Sequence, residues 1–160
     1  MISPFGQEKD HFFMSAALEQ AQLAYNQNEV PIGAVVVHEQ GVIIGRGFNA
    51  VEKEKTQTAH AEARALIDAS LKTQDWRLDG CWVYVTLEPC AMCMHLMQLS
   101  RIAGVVYGAP SPLFGFHLDK EQGFRVYKYN IVSVVASVGA QESAVLLRKF
   151  FKDKRNKASE

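Results

Sequence analysis

Strand-forming segments alternate with helix-forming segments along this chain, and that alternation limits the folds open to it. A helical pattern over residues 11–26 precedes two short strands, 32–37 and 42–44, joined by a turn that ends at Gly41. Helices are then predicted over 61–71, 91–99 and 142–154, and strands over 82–86, 104–107 and 131–138. The order α-β-β-α-β-α-β-β-α indicates an α/β fold with one sheet covered by helices.

Composition fits a single globular domain. The chain has 160 residues, of which 48% are apolar and 21% charged, so we expect one domain over 1–160 and exclude a disordered chain. No apolar run reaches the about 18 residues of a membrane span, and no secretory signal is recognisable. Three cysteines cannot all pair, which favours a reducing, cytoplasmic location.

The net charge of zero hides a basic C-terminal segment, over about residues 142–157. Its six basic residues are Arg148, Lys149, Lys152, Lys154, Arg155 and Lys157. Such a segment either binds a polyanion such as nucleic acid or is a solvated helix end, where cations complement the helix dipole.

Two cysteines three residues apart form the first candidate site. Cys90 and Cys93 begin the helix predicted over 91–99, directly after Pro89. Residues i and i+3 share one face of a helix, so both sulfurs can reach one ion. A helix N-terminus also favours the thiolate form that binds metal. The spacing therefore predicts a metal site.

A His-x-Glu segment at the start of the 61–71 helix completes this candidate site. His60 adds an imidazole, and two thiolates with one imidazole form a ligand set that suits catalytic zinc with an open fourth position. Glu62 lies about 200° further around a regular helix, so it is a poor ligand. It is instead the candidate for moving protons between water and substrate.

Two alternatives stay open for the cysteine pair. One is a redox pair, although thioredoxin-like motifs lack a His-x-Glu partner. The other is a structural zinc site, which needs a fourth ligand from Cys81, His95 or His117. Because Cys81 enters an apolar strand, we expect it to be buried in the core.

The combination of His-x-Glu with Pro-Cys-x-x-Cys is the signature of the zinc-dependent nucleobase deaminases. Beyond this signature, the sequence resembles the bacterial tRNA-specific adenosine deaminases over about residues 8–155. The resemblance is carried by the segments 29–37, 47–49, 58–62, 84–93, 100–102, 105–109 and 150–155.

This resemblance implies a cytidine deaminase-like three-layer fold, with a five-stranded mixed sheet flanked by helices and assembled as a homodimer. It implies one Zn²⁺ held by His60, Cys90 and Cys93, with Glu62 as the catalytic proton carrier. The reaction would be hydrolytic deamination of adenosine to inosine at the wobble position of a tRNA anticodon stem-loop. The residues implied in substrate binding are Asn49, Val30, Ala61, Phe151, Lys152 and Arg155.

One segment departs from that family. Residues 110–119 carry two prolines and two phenylalanines where the family has a polar loop. Phe114 and Phe116 either stack on unpaired bases or belong to the core or a dimer interface. The departure keeps open a deaminase of a free base or nucleoside (cytosine, cytidine or guanine). A separate alternative is a zinc-stabilised RNA-binding module without catalysis.

Overall fold

A computed structural model of the chain describes residues 3–118 and 133–159. Its helices are α1 (Gln7–Asn26), α2 (Val51–Glu54), α3 (Ala61–Thr73), α4 (Ala91–Leu99) and α5 (Ala140–Ala158), with a 3-10 turn over Gln57–Ala59. Its strands are β1 (Gly33–Val37), β2 (Ile43–Phe48), β3 (Trp82–Leu87), β4 (Gly104–Ala109) and β5 (Ser133–Val135). None of the helices within these ranges is long and apolar enough to span a bilayer.

The strands form one mixed sheet in the order β2-β1-β3-β4-β5. Strand β1 is antiparallel to both β2 and β3, whereas β3, β4 and β5 run parallel. Parallel neighbours require crossover connections, and α4 provides the one between β3 and β4. The carboxyl ends of β3 and β4 therefore lie at one edge of the sheet, where α/β proteins commonly bind ligands.

Side chains alternate between the two faces of the sheet and build a core on each. On one face Val36 and Val83 pack with α3 and α4, and on the other Val35 and Tyr84 pack with α1. Helix α5 lies beside α1, where the rings of Tyr25 and Phe150 meet with centroids 5.9 Å apart. The three-layer α/β fold and its five-stranded mixed sheet are confirmed.

The order of the predicted elements is confirmed, but several boundaries were wrong. Strand β2 runs to Phe48, whereas its end was predicted at residue 44. The prediction stopped early because glycines, here Gly45 and Gly47, are rare in strands. Strand β5 ends at Val135, whereas 131–138 was predicted, and residues 131–132 lie outside the described ranges. Helix α2 and the 3-10 turn were missed.

Close contact between β2 and α3 explains the glycine at position 47. A Cβ built there would lie 2.4 Å from the carbonyl oxygen of Ala61 and 2.5 Å from the amide nitrogen of Ala65. No side chain fits in that space, so the start of α3 lies directly on the end of β2. This contact brings the residues that follow β2 beside the residue that precedes α3.

Candidate metal centre and active site

The candidate site forms where the N-termini of α3 and α4 meet. His60 occupies the N-cap position of α3 and Cys90 that of α4, both with extended backbone, and Cys93 lies in the first turn of α4. A residue at an N-cap leaves the helical path, so its side chain can turn toward the neighbouring helix start. His60 thus meets Cys90 and Cys93, which follow it by 30 and 33 residues in the chain.

The three side chains have the spacing that a single zinc ion requires. Nδ1 of His60 lies 3.7 Å from Sγ of Cys90 and 3.5 Å from Sγ of Cys93. Tetrahedral zinc, with Zn–S of about 2.3 Å and Zn–N of about 2.0–2.1 Å, separates a sulfur from a nitrogen by about 3.5–3.6 Å. All ligand atoms of the group lie within 4.8 Å of one another. The donor set and the distances therefore fit zinc.

The protons of the thiols are unevenly shared. A hydrogen bond from the Cys93 thiol, followed by one from His60, lowers the pKa of Cys90 to about 4. The pKa of Cys93 is raised well above its ordinary value, because its proton is hydrogen-bonded to Cys90 and its sulfur is buried. The hydrogen bond to Cys90 also raises the pKa of His60. Of the two sulfurs, that of Cys90 therefore loses its proton more readily.

Glu62 is buried beside this group and is not one of its three ligating residues. Only 4% of its surface is exposed. Burial raises the pKa of its carboxyl group, and the negative charge of Cys90 raises it further. A hydrogen bond joins it to the Cys93 thiol. A buried carboxyl with a raised pKa, next to a metal site, is suited to accept and release a proton near neutral pH.

Asn49 lies at the end of β2, beside the start of α3. The backbone amide of the next residue, Ala50, donates a hydrogen bond of 3.0 Å to the carbonyl of Ala59, directly before His60. The side-chain amide of Asn49 donates to the carbonyl oxygen of Val30 at 3.3 Å. Of the predicted substrate-binding residues, Asn49 and Val30 are thus in contact.

Ala61, the next predicted binding residue, is fully buried at the start of α3. Phe151, Lys152 and Arg155 lie elsewhere, exposed on α5. The Phe151 ring packs edge-on against Phe150, with ring centroids 5.3 Å apart. Helix α5 carries these three residues, whereas α3 and α4 build the metal group.

The sequence prediction missed Glu29. Its carboxylate, 1% exposed, accepts backbone N–H groups of Glu52 at 3.1 Å and Lys53 at 2.6 Å, and so fixes the turn that follows Asn49. An acidic residue three positions before a predicted strand was the only signal for this role. The contact spans more than twenty residues, so no local pattern predicts it.

The described residues contain one possible metal-binding group, and it has three members. Of the residues considered for a fourth ligand, Cys81 is a buried core thiol, as predicted. His117 bonds instead to Glu88, with Nδ1 at 2.8 Å and 2.9 Å from the two carboxylate oxygens. The four-ligand structural site is therefore not formed by Cys81, His95 or His117, and no other described residue joins the three-membered group.

Comparison with known proteins agrees with this geometry. Residues 7–109 match the family model for the cytidine and deoxycytidylate deaminase zinc-binding region. A tRNA-specific adenosine deaminase of Aquifex aeolicus (strain VF5) is 39% identical over 153 residues, which cover 91% of this chain and 95% of that protein. One of Bacillus subtilis (strain 168) is 38% identical over 154 residues, covering 93% and 92% respectively.

A solved structure gives the same result. It comes from a study of A-to-I editing by tRNA:A34 deaminases at the wobble position of transfer RNA, and it matches with a TM-score of 0.79 at 35% identity. The match covers 85% of this chain and 99% of that chain. Because identity of this level extends over nearly the full length of its relatives, the chain belongs to the tRNA-specific adenosine deaminase family, within the zinc-binding cytidine and deoxycytidylate deaminases.

Proposed function

We propose that this protein is a zinc-dependent hydrolase that converts adenosine to inosine at the wobble position of a tRNA anticodon loop. The observation that carries the proposal is the meeting of His60, Cys90 and Cys93, at zinc-binding distances, with the buried acid Glu62. The membership of the chain in a family of tRNA-specific adenosine deaminases supports the substrate.

In this proposal His60, Cys90 and Cys93 hold one zinc ion. When bound, zinc lowers the pKa of water toward neutrality and so provides a nucleophile for carbon 6 of adenine. The two thiolates balance the charge of the ion, so the neutral base needs no counterion.

The proposed role of Glu62 is to carry protons. Its carboxylate accepts a proton from the attacking water and delivers it to a ring nitrogen of the adenine. It then takes the proton of the hydroxyl group added to carbon 6 and gives it to the departing amino group, so adenosine and water give inosine and ammonia. The raised pKa of this buried carboxyl suits both transfers, since the group must gain and lose a proton in each cycle.

We assign substrate binding to two surfaces. Asn49, Val30 and Ala61 are assigned to the target base, and the contacts between Asn49 and Val30 and between Ala50 and Ala59, close to Ala61 in the chain, support this assignment. The base would enter extruded from its stack, because a small pocket cannot accept a stacked nucleotide. On α5, the proposed RNA contacts are Phe151, Lys152 and Arg155.

The assembly and cellular location belong to the same proposal. We expect a homodimer of one-domain chains (residues 1–160), supported by exposed apolar side chains on α3 and α4, which are Ile67, Leu71, Met92 and Leu99. Light scattering after size-exclusion chromatography measures this assembly directly. We propose a cytoplasmic location, since the relatives are tRNA-specific adenosine deaminases and none of the three cysteines forms a disulfide.

Inosine formation in an anticodon stem-loop with adenosine at the wobble position tests the reaction and substrate together. We expect the zinc-loaded protein to form inosine, and Glu62→Ala to keep zinc and fold but lose about 100-fold or more of kcat. Glu62→Gln, which keeps the shape, separates proton transfer from packing and should be similarly inactive.

Two other results would reject this function. Faster turnover of free cytosine, cytidine or guanine than of the stem-loop would identify a small-molecule deaminase. Stem-loop binding without any turnover, and without an effect of Glu62→Ala, would identify a non-catalytic zinc-stabilised module.

A further inference from the structure

The segment that departs from the family, residues 110–118 in its described part, is fastened to the strand end that leads into the metal centre. The carboxylate of Glu88, 1% exposed, accepts the backbone N–H of Ser111 at 3.0 Å and that of His117 at 3.2 Å. The Nδ1–H of His117 donates to the same carboxylate at 2.8 Å. One buried acid thus holds both ends of the loop.

Two further observations show how closely the loop is held. The backbone N–H of Phe116 donates to the carbonyl of Pro89, at 2.9 Å. A Cβ built on Gly115 would lie 2.4 Å from Oε2 of Glu88 and 2.6 Å from Nδ1 of His117. The loop therefore approaches the carboxylate so closely that only glycine fits, and it is attached to the residue directly before Cys90.

The fastened loop buries one of its two aromatic side chains and exposes the other. Phe116 is buried in the core cluster that also contains Cys93, where its ring meets Tyr107 with centroids 6.3 Å apart. Phe114 is 74% exposed, as is its neighbour Leu113. Of the two roles considered for these phenylalanines, Phe116 takes the core role, and Phe114 remains available to a ligand.

We infer that Glu88 and His117 are positioning residues that fix the loop beside the metal centre, so that Phe114 stacks on an unpaired base next to the target nucleotide. The inference rests on the proposed function, since it needs an RNA substrate. Loops at the entrance of a nucleobase deaminase contact the nucleotides that flank the target, and a base stacks readily on an exposed aromatic ring. A ring held in place loses less conformational entropy on binding than one on a free loop.

The test compares His117→Ala with His117→Asn on the anticodon stem-loop. The side-chain nitrogen of asparagine can occupy the place of Nδ1 and restore the hydrogen bond. We expect His117→Ala to raise KM by about three- to tenfold, the effect of one partly exposed hydrogen bond, with kcat per bound zinc within about twofold. His117→Asn should restore most of the loss.

A double-mutant cycle with Phe114→Ala then tests whether the pair acts through the ring. If it does, Phe114→Ala raises KM by a similar factor, and the double variant is no worse than the poorer single variant. An unchanged KM in His117→Ala overturns the inference. A loss of both kcat and bound zinc in His117→Ala also overturns it, because His117 would then support the metal centre. So does a double variant whose increase in KM is the product of the increases in the two single variants.

Amide hydrogen exchange separates failure of this inference from failure of the proposed function. The amides of Ser111 and His117 should exchange faster in His117→Ala than in the wild type, and this measurement needs no substrate. Equal exchange rates overturn the positioning role whatever the substrate. A wild-type protein that neither binds nor converts the stem-loop refutes the tRNA function, while the exchange data still decide whether the loop is fastened.

Discussion

At the scale of single residues, the metal centre depends on its sulfur atoms. Cys90→Ala removes one of three ligands, so we expect loss of bound zinc and of the stability that zinc provides. An ion at about 1,000 times its Kd stabilises a protein by about 4 kcal/mol, which for a chain of this size raises Tm by about 8–16 °C. Metal analysis and thermal unfolding with and without chelator measure both effects.

Cys81→Ala is the matched control, since it also removes a buried sulfur atom. It should keep stoichiometric zinc and cost only the packing of one small side chain, about 1 kcal/mol. Full zinc occupancy in Cys90→Ala would contradict the ligand assignment. Loss of zinc in Cys81→Ala would show that general packing, and not ligation, holds the ion.

Zinc binding also depends on the protonation of single residues, because the ion must displace the protons of its ligands. Binding requires thiolates and a neutral imidazole. The low pKa of Cys90, about 4, means that this group has already lost its proton at neutral pH, whereas Cys93 retains its own. Zinc uptake should therefore release about one proton above the raised pKa of His60 and about two below it.

Zinc affinity should fall as the pH falls, and more steeply once His60 is protonated. Titration calorimetry in buffers with different ionisation enthalpies counts the released protons at each pH. Zinc affinity that does not change across the neutral range would show that both thiols and the imidazole are already deprotonated, contrary to the structure.

At the scale of elements, the contact between β2 and α3 brings the residues proposed to bind the substrate beside the start of α3. Gly47→Ala would place a methyl group 2.4 Å from the carbonyl oxygen of Ala61 and push the start of α3 away. We expect a loss of about 1–3 kcal/mol in the free energy of unfolding and weaker zinc binding, since His60 precedes α3 directly. Urea unfolding and a chelator competition measure the two losses.

The neighbouring Arg46→Ala serves as the control, because that side chain is exposed on the same strand. It should change the free energy of unfolding by less than about 0.5 kcal/mol. Equal stability of Gly47→Ala and Arg46→Ala would mean that α3 can move away from β2 without a loss in the free energy of unfolding.

Element prediction from the sequence succeeded where the pattern is local. Helix α4 has the predicted bounds, because Pro89 and an apolar run mark its start and extent. Strand β2 was predicted too short because it contains glycines, which a local pattern does not assign to a strand. The close packing of α3 requires these glycines. Helix α2 has four residues and depends on the distant carboxylate of Glu29, so its own sequence carries no signal.

At the scale of the whole molecule, the ligand group could be predicted, whereas its surroundings could not. Local spacing predicted the pair Cys90 and Cys93, the chemistry of zinc ligands suggested His60 as the third, and the structure brings the three side chains together. The bond between His117 and Glu88 joins residues 29 apart, with helix α4 and strand β4 between them in the chain. Such contacts arise only from the folded chain.

The basic residues of this chain are concentrated on its last helix, α5. The net charge of the chain is zero, yet six basic residues lie between 148 and 157, on α5. If this helix contacts the RNA backbone, each cation releases counterions on binding, and affinity falls with salt. Lys152→Ala should weaken stem-loop binding and reduce the salt slope by about 0.7–0.9. Fluorescence anisotropy at several salt concentrations measures both, while kcat should not change.

Lys72→Ala removes an equal charge and is the control. Lys72 is exposed near the end of α3, and its position eleven residues after Ala61 lies about 17 Å along the helix from the start of α3. Its Nζ already pairs with Asp68 at 2.7 Å. If the effect came from net charge alone, both variants would weaken binding equally, because each changes the total by one. A salt slope reduced only in Lys152→Ala therefore locates the RNA on α5, and equal slopes would leave α5 as a solvated helix end.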